Sequence, residues 1–332
     1  MRIKREGRVS RAPLREAFGN WANLKMVLIA LFGLTAGQGA IWYCGQFYAL
    51  FFLTQTLKLD GATASLLIGV ALLIATPFFL LFGSLSDRIG RKPVVLSGFV
   101  LAALSYWPLF HGLTAAANPG LAGAQARAPV VLVVDPAQCS FLFDPTGTAR
   151  FATACDIAKQ TLAAVAVDYS VKSGPGAAQI RIGAQSIAVF DARGIGDEEF
   201  AQQQRALQRR VESAIAAAGY PLRADAARVN APLLMLILFL LGIGVAAVYA
   251  PVAATLVELF PTRIRYSSLS LPYHIGNGWF GGLLPTIAFA LAAQRGSIYG
   301  GLWYPIGVAA MSCVVALLFL PETAGTDLYA GD

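Results

Sequence analysis

The sequence predicts an all-α polytopic membrane protein, six transmembrane helices carrying one small α/β extracytoplasmic insert. Three observations lead there. The 332 residues are 57% hydrophobic and only 13% charged, about half the charge of a typical soluble domain. Six apolar runs, at 24–53, 62–83, 93–115, 231–257, 268–292 and 299–320, each reach the roughly 20 helical residues that crossing a bilayer requires. The cations collect between those runs rather than within them.

In chain order, residues 1–23 form a basic segment, 24–115 hold the first three spans and 116–229 the insert. Residues 230–321 hold the last three spans, and 322–332 form a tail. Seven of the 25 Lys and Arg lie in the first 25 residues: Arg2, Lys4, Arg5, Arg8, Arg11, Arg15 and Lys25. That stretch is too long for the basic part of a signal peptide, and no small-residue cleavage site follows a short apolar core. The first run is long and interrupted by Gly33, Gly37, Gly39 and Gly45, which membrane helices tolerate when neighbours satisfy the backbone.

Between the second and third runs lies Gly83-Ser84-Leu85-Ser86-Asp87-Arg88-Ile89-Gly90-Arg91-Lys92-Pro93. One carboxylate and three cations there have no place in hydrocarbon, so the segment reads as a tight aqueous turn. Glu258 through Arg265, with Arg263, separates the fourth and fifth runs in the same way. With the N-terminal segment in the cytoplasm, these clusters hold twelve cations on that side; the opposite loops outside the insert hold only Lys58 and Arg295. The bias sets a bacterial-type inner-membrane topology with both termini cytoplasmic and the insert extracytoplasmic. It also accounts for the net charge of +7 without nucleic acid; the lipid bilayer is the partner implied.

The insert carries 11 Lys and Arg against 10 Asp and Glu and reads as soluble. Val130–Val134 has the look of a short buried strand, Phe151–Val167 of an amphipathic helix, and Gln179–Phe190 of two strands about a turn at Gly183. Asp197–Ala218 has helical period, with Asp197, Glu198 and Glu199 favourably placed at its positive end. Pro119, Gly120, Pro129, Pro221 and Pro232 punctuate its borders.

Cys44 and Cys313 lie within apolar runs and read as small core hydrophobes. Cys139 and Cys155 lie in the insert, on the side where a disulfide persists. Bridging them would close a loop worth roughly 3 kcal/mol; two free thiols are the alternative. The insert contains no histidine, so no metal is expected, and no cofactor either. With only His111 and His274 in the chain, and no nucleophile–base arrangement, an enzyme is not expected.

Three groups of residues stand out. Asp87 can accept from helix N-termini or pair with arginine, and Gly83 and Gly90 allow close approach of helices. Glu258 is placed to pair with Arg88 or Arg91, or to be a solvated helix end. Gln38, Trp42 and Gln46 fall at i, i+4 and i+8, so a glutamine-bearing face must look at other helices or a wet cavity. Trp42 and Tyr43 add apolar walls with polar tips, and Tyr249 beside Pro251 is a weaker member of the same set. His274 and Asn277, at i and i+3, form the third group; a proton relay, a substrate hydrogen bond and a packing histidine all remain open for His274. Gly276, Gly278, Gly281 and Gly282 read as close helix packing, since no strand precedes them as a phosphate loop would need.

Gly83 through Pro93 resembles the loop motif of the major facilitator superfamily between the second and third helices of each six-helix half. Residues 37–53 resemble the seventh helix of its metabolite:proton symporter branch, which includes proline/betaine, α-ketoglutarate, citrate and shikimate permeases. Residues 257–282 resemble that branch's tenth-to-eleventh helix passage, and Pro321-Glu322-Thr323 the segment closing the twelfth. The resemblance spans nearly the whole chain. It matches helices seven to twelve of a twelve-helix family, and Glu6 through Leu14 resembles the end of the family's central cytoplasmic loop.

The resemblance implies the C-terminal half of a proton-coupled symporter for small organic acids or zwitterionic metabolites, working by alternating access. Gln38, Trp42, Tyr43, Gln46, Tyr249, His274 and Asn277 are then the expected substrate-cavity residues. Gly83, Asp87, Arg88, Gly90, Arg91, Lys92, Glu258, Arg263 and Arg265 are the expected cytoplasmic gate; the plainer reading of that loop is a topology-setting turn. A proton would be the coupling ion, and an N-terminal six-helix half, or a second copy, the expected partner. The chain alone is expected to be incompetent for transport: half of a split protein, a product of internal initiation or frameshift, or a decayed gene. The alternative class is a membrane-anchored extracytoplasmic binding or sensing protein, which would need neither the Gln38/Trp42/Gln46 face nor a charged gate loop.

Overall fold

The computed structural model describes residues 12–144, 148–174 and 176–326. Arg2, Lys4, Arg5, Arg8 and Arg11 of the basic segment, and residues 327–332 of the tail, lie outside them. Among the described residues six helices are long and apolar enough to cross a membrane: Trp21–Thr56, Gly61–Ile89, Arg91–Ala117, Ala231–Leu259, Arg265–Arg295 and Gly300–Phe319. The protein is therefore an all-α polytopic membrane protein with a small open β-sheet insert.

The expected aqueous turn is shorter than its composition implies. The second span continues through Gly83 to Ile89 and the third begins at Arg91, leaving Gly90 alone to reverse the chain. Ser86 holds the last turn by donating its hydroxyl to Gly83 O at 2.7 Å. Arg88, in that last turn, sits at the negative end of the helix dipole, where a cation is stabilising. Gly90 has φ +107°, a conformation that only glycine adopts readily.

The first span is the most buried of the six and the second the least. The fourth span packs on the second and third, the sixth on the first and third, and the first on the fifth. The first span departs from regular α-helix at three π-helical turns, Leu31–Thr35, Cys44–Tyr48 and Phe52–Thr56; the fifth has one at Gly276–Gly281. Such turns are commonest at functional sites. Gly39 lies so close to the fifth span that a Cβ there would stand 2.4 Å from Gly276 O. Of the other glycines named for packing, Gly276 and Gly281 lie against Thr35 and Tyr43, whereas Gly278 faces open space.

The insert is a four-stranded sheet of order β2-β1-β3-β4, with β1 at Val130–Val134, β2 at Tyr169–Ser173, β3 at Gln179–Ile182 and β4 at Gln185–Ala188. The Ala154–Ala164 helix links β1 to its parallel neighbour β2, and the Asp197–Ala217 helix follows β4. Val130, Leu132, Val134, Ile180 and Ile182 are buried beneath them. Cys139 and Cys155 form a disulfide, with Cα atoms 5.2 Å apart. Strand β2 has no counterpart in the sequence reading. Its Tyr-Ser-Val-Lys-Ser sequence is mostly exposed at a sheet edge and has neither the unbroken apolar run of β1 nor the paired buried isoleucines of β3.

The insert is bonded to one end of the bundle. Tyr169 N–H donates to Gly296 O at 2.7 Å, and Ile298 N–H to Asp168 Oδ1 at 2.6 Å. Lys159 Nζ, buried, donates to Gln294 Oε1 at 3.1 Å. Beneath this seat lies an aromatic plug of Tyr48, Phe52, Phe110 and Phe289.

Candidate functional site

At mid-bundle the first, fourth and fifth spans bring polar and aromatic side chains together. Gln38, buried in the first span, donates Nε2–H to Asn277 Oδ1 at 3.1 Å. Asn277 in turn donates Nδ2–H to Tyr273 O at 2.9 Å. One helical turn along the first span, Trp42 packs on Tyr249 of the fourth with ring centroids 5.0 Å apart. The Tyr249 hydroxyl lies 3.1 Å from that of Tyr273, and Phe79 of the second span meets the Tyr249 ring edge-on at 6.0 Å. Trp42, Tyr249 and Tyr273 are half-buried, so the cluster is open on one side.

The sequence-predicted residues divide. Gln38, Trp42, Tyr249 and Asn277 join this cluster. Tyr43 stacks on Phe47 at 5.1 Å and lies against Gly281. Gln46 is buried and its Oε1 accepts no hydrogen bond. The π-helical turn at Cys44–Tyr48 interrupts, between Trp42 and Gln46, the α-helical period on which the Gln38/Trp42/Gln46 stripe is drawn. His274 is exposed, with Nδ1 2.7 Å from Ser270 O, and is not joined to Asn277. Tyr273 was not singled out in the sequence; its place four residues before Asn277, on the same helical face, is the signal that would have found it.

At the bundle end opposite the insert, the charges converge on Arg91. It pairs with Asp87, donates Nη2–H to Glu258 Oε1 at 3.0 Å and Nη1–H to Ser86 Oγ at 2.8 Å. Glu258 Oε2 also accepts from the Thr323 hydroxyl at 2.7 Å. Glu322 accepts the backbone N–H groups of Arg91 at 2.8 Å and Lys92 at 3.1 Å, capping the third span. Lys92 Nζ reaches the carbonyls of Leu317 at 3.0 Å and Leu320 at 2.8 Å, at the end of the sixth span. Burial pushes the Glu322 carboxyl up, but four backbone N–H groups outweigh it and hold its pKa below the ordinary value.

Of the other charges expected here, Arg88 is exposed and takes no part in the bond to Glu258. Arg263 pairs with Glu16 at 2.7 Å, and Arg265 Nε donates to Phe260 O at 3.0 Å. Gly83 needs no close approach, since a Cβ there would meet nothing within 4 Å: the second span simply runs through it as helix. Thr323 and Glu322 complete the network from beyond the sixth span, where the sequence offered only a short motif. No group of His, Cys, Asp and Glu that could hold a metal occurs among the described residues.

Residues 213–331 match the family of sugar (and other) transporters. A Staphylococcus haemolyticus protein named for proline/betaine transport is 29% identical over 97 residues, 29% of this chain and 21% of that protein. The glycine betaine/proline/ectoine/pipecolic acid transporter OusA of Dickeya dadantii is 34% identical over 96 residues, 29% of this chain and 19% of its own length. The chain spans about a fifth of the length of these curated relatives. No solved structure matches. The chain is accordingly a multi-pass membrane protein whose C-terminal part is similar to sugar (and other) transporters and to metabolite permeases.

Proposed function

We propose that the chain is the C-terminal half of a proton-coupled secondary transporter for small zwitterionic or carboxylate metabolites, completed by an N-terminal six-helix half. In this reading the Arg91 network faces the cytoplasm, together with both termini, and the insert faces the opposite side. The observation that carries the reading is the open cluster of Trp42, Tyr249 and Tyr273 with the Gln38–Asn277 pair. Half-buried aromatic faces attract the ammonium of a zwitterion. The exposed faces of the second and fifth spans carry Ser65, Thr76, Ser84 and His274. Polar side chains are costly against lipid and suit a second half. The names of the relatives favour betaine-like zwitterions over organic acids.

The test is uptake of labelled glycine betaine, proline and α-ketoglutarate into vesicles holding this chain with an N-terminal half taken from the Dickeya relative. Uptake that needs both pieces, collapses with a protonophore and falls at least about tenfold in Trp42→Ala is the expected result. Uptake by neither combination, or equal uptake in Trp42→Ala, would overturn the assignment.

A further inference from the structure

A cavity of about 250 Å³ lies where the insert meets the bundle, away from the mid-bundle cluster. Its floor comes from the loop after the first span and the end of the third, its walls from both insert helices, and its rim from residues 220–222. Both chain crossings between insert and bundle pass beside it.

Two opposite charges line it without touching. Lys58 is half-buried and spends its ammonium on a single long bond, 3.4 Å to Ala164 O. Among the described residues Glu212, on the Asp197–Ala217 helix, accepts only the amide of Gln208, at 2.9 Å. Burial lowers the Lys58 pKa while the Glu212 carboxylate works to raise it. Each charge therefore keeps bonding capacity to spare beside the cavity that both residues line. The rest of the lining is mixed: Leu121, Ile215, the Ala164–Val167 turn and Leu222, which is 56% exposed at the mouth, supply an aliphatic part beside the polar Thr56, Asn118 and Tyr220.

The backbone here is held under strain. Among the described residues, Lys58 and Ala166 are the two non-glycine residues with positive φ, at 58° and 56°, and both line this cavity. Such conformations cost about 1–3 kcal/mol each and persist only where neighbours over-determine them. The neighbours are visible: Asn118 Nδ2–H donates to Leu57 O and Ala224 N–H to Lys58 O, both at 3.1 Å.

The geometry points to a second binding site, for a small aliphatic α-amino acid in zwitterionic form: Lys58 takes its carboxylate, Glu212 its ammonium, and the aliphatic part of the lining its side chain. The volume lies just under the roughly 300 Å³ at which ordinary ligand pockets begin, which limits the ligand to a single small molecule of this kind. Because bundle and insert each supply one charge, the ligand bridges them and fixes the insert on its seat.

The test is equilibrium binding to the full chain in lipid nanodiscs by titration calorimetry, which needs no transport and so stands apart from the uptake assay. The probes are L-leucine, 4-methylpentanoate, which lacks the ammonium, and isoamylamine, which lacks the carboxylate. Saturable binding of L-leucine is expected, weakened about tenfold in either analogue and in either Lys58→Met or Glu212→Gln, and unchanged in Trp42→Ala. Glu212→Gln, on an insert helix, keeps the test open should Lys58→Met misfold. No saturable L-leucine binding up to about 10 mM, binding unaffected by the charge substitutions, or binding lost in Trp42→Ala would overturn the proposal.

Discussion

Arg91 and Glu258, 167 residues apart in the chain, meet through two hydrogen bonds, Nη2 to Oε1 at 3.0 Å and Nε to Oε2 at 3.3 Å. Their side chains are only 12% and 14% exposed, so each charge depends on the other for much of its solvation. Removing one strands its partner, whereas removing both leaves only Asp87 without its cation, and Asp87 is 62% exposed to water. Arg91→Met and Glu258→Met should each cost about 2 kcal/mol, and the double variant should be more stable than either single one. Thermal unfolding of the purified proteins, followed by loss of the monodisperse peak, reads this directly. Additive losses in the double variant would mean that the two side chains act separately.

The two glycines of the same loop should behave oppositely. Gly83 lies inside a helix with open space around it, so Gly83→Ala should be neutral or stabilising by up to about 1 kcal/mol. Gly90 has φ +107°, and a Cβ there would stand 2.5 Å from Glu322 Oε2. Gly90→Ala should cost about 1–3 kcal/mol and loosen the cap that Glu322 places on the third span. Equal melting shifts for the two variants would contradict the placement of the turn at Gly90.

The sequence makes the long features of this fold legible and the local exceptions illegible, for physical reasons. Six spans follow from hydropathy because a bilayer demands length and apolarity together. Strand β1 follows from its unbroken apolar run, β3 and β4 from short segments about the Gly183 turn, and both insert helices from helical period. Strand β2 does not, because an exposed edge strand buries too little to impose a pattern. The charge of Glu258 announces a cation partner at the same bundle end, but the choice of Arg91 over Arg88 depends on where the second span stops. The Gln38/Trp42/Gln46 stripe is drawn on an α-helical period that the π-helical turn at Cys44–Tyr48 interrupts, and nothing in the composition announces that turn. Tyr273 in an apolar span resembles any core aromatic until its hydroxyl is seen 3.1 Å from that of Tyr249.

Acid should weaken the Arg91 end of the bundle through Glu322. Its carboxyl pKa is held below the ordinary 4.5, burial being outweighed by the N–H groups of Ala324, Arg91, Lys92 and Thr323. A depressed folded-state value means stabilisation that is present above the unfolded value and lost as pH falls through the folded one. The melting temperature of Glu322→Gln should therefore lie below that of the wild type at neutral pH, with the gap closing below pH 4.5. A gap that stays constant from pH 7 to pH 3 would show that the carboxylate charge contributes nothing to the cap.

The contact between the first and fifth spans rests on shape more than on its amide pair. The Gln38–Asn277 bond is a neutral interhelical hydrogen bond, a class that averages about 0.6 kcal/mol within membranes. Gly39, the neighbour of Gln38, instead brings two backbones together: any side chain there would strike Gly276 O at 2.4 Å. Neither partner can move aside, since Gly276 O is main chain and Gly276 itself lies against Thr35, whose hydroxyl donates to Pro272 O at 2.6 Å. Gly39→Ala should thus cost about 1–3 kcal/mol, the usual range for overpacking, and should weaken Gln38–Asn277 by prising the spans apart. Gly278→Ala, with nothing within 4 Å, should be silent. Gln38→Leu combined with Asn277→Leu should show a coupling energy below about 1.7 kcal/mol, smaller than the Gly39 effect. Unfolding in mixed micelles measures all of these variants on one scale; a coupling energy exceeding the Gly39→Ala loss would make the amide pair, and not the glycine contact, the element that joins the two spans.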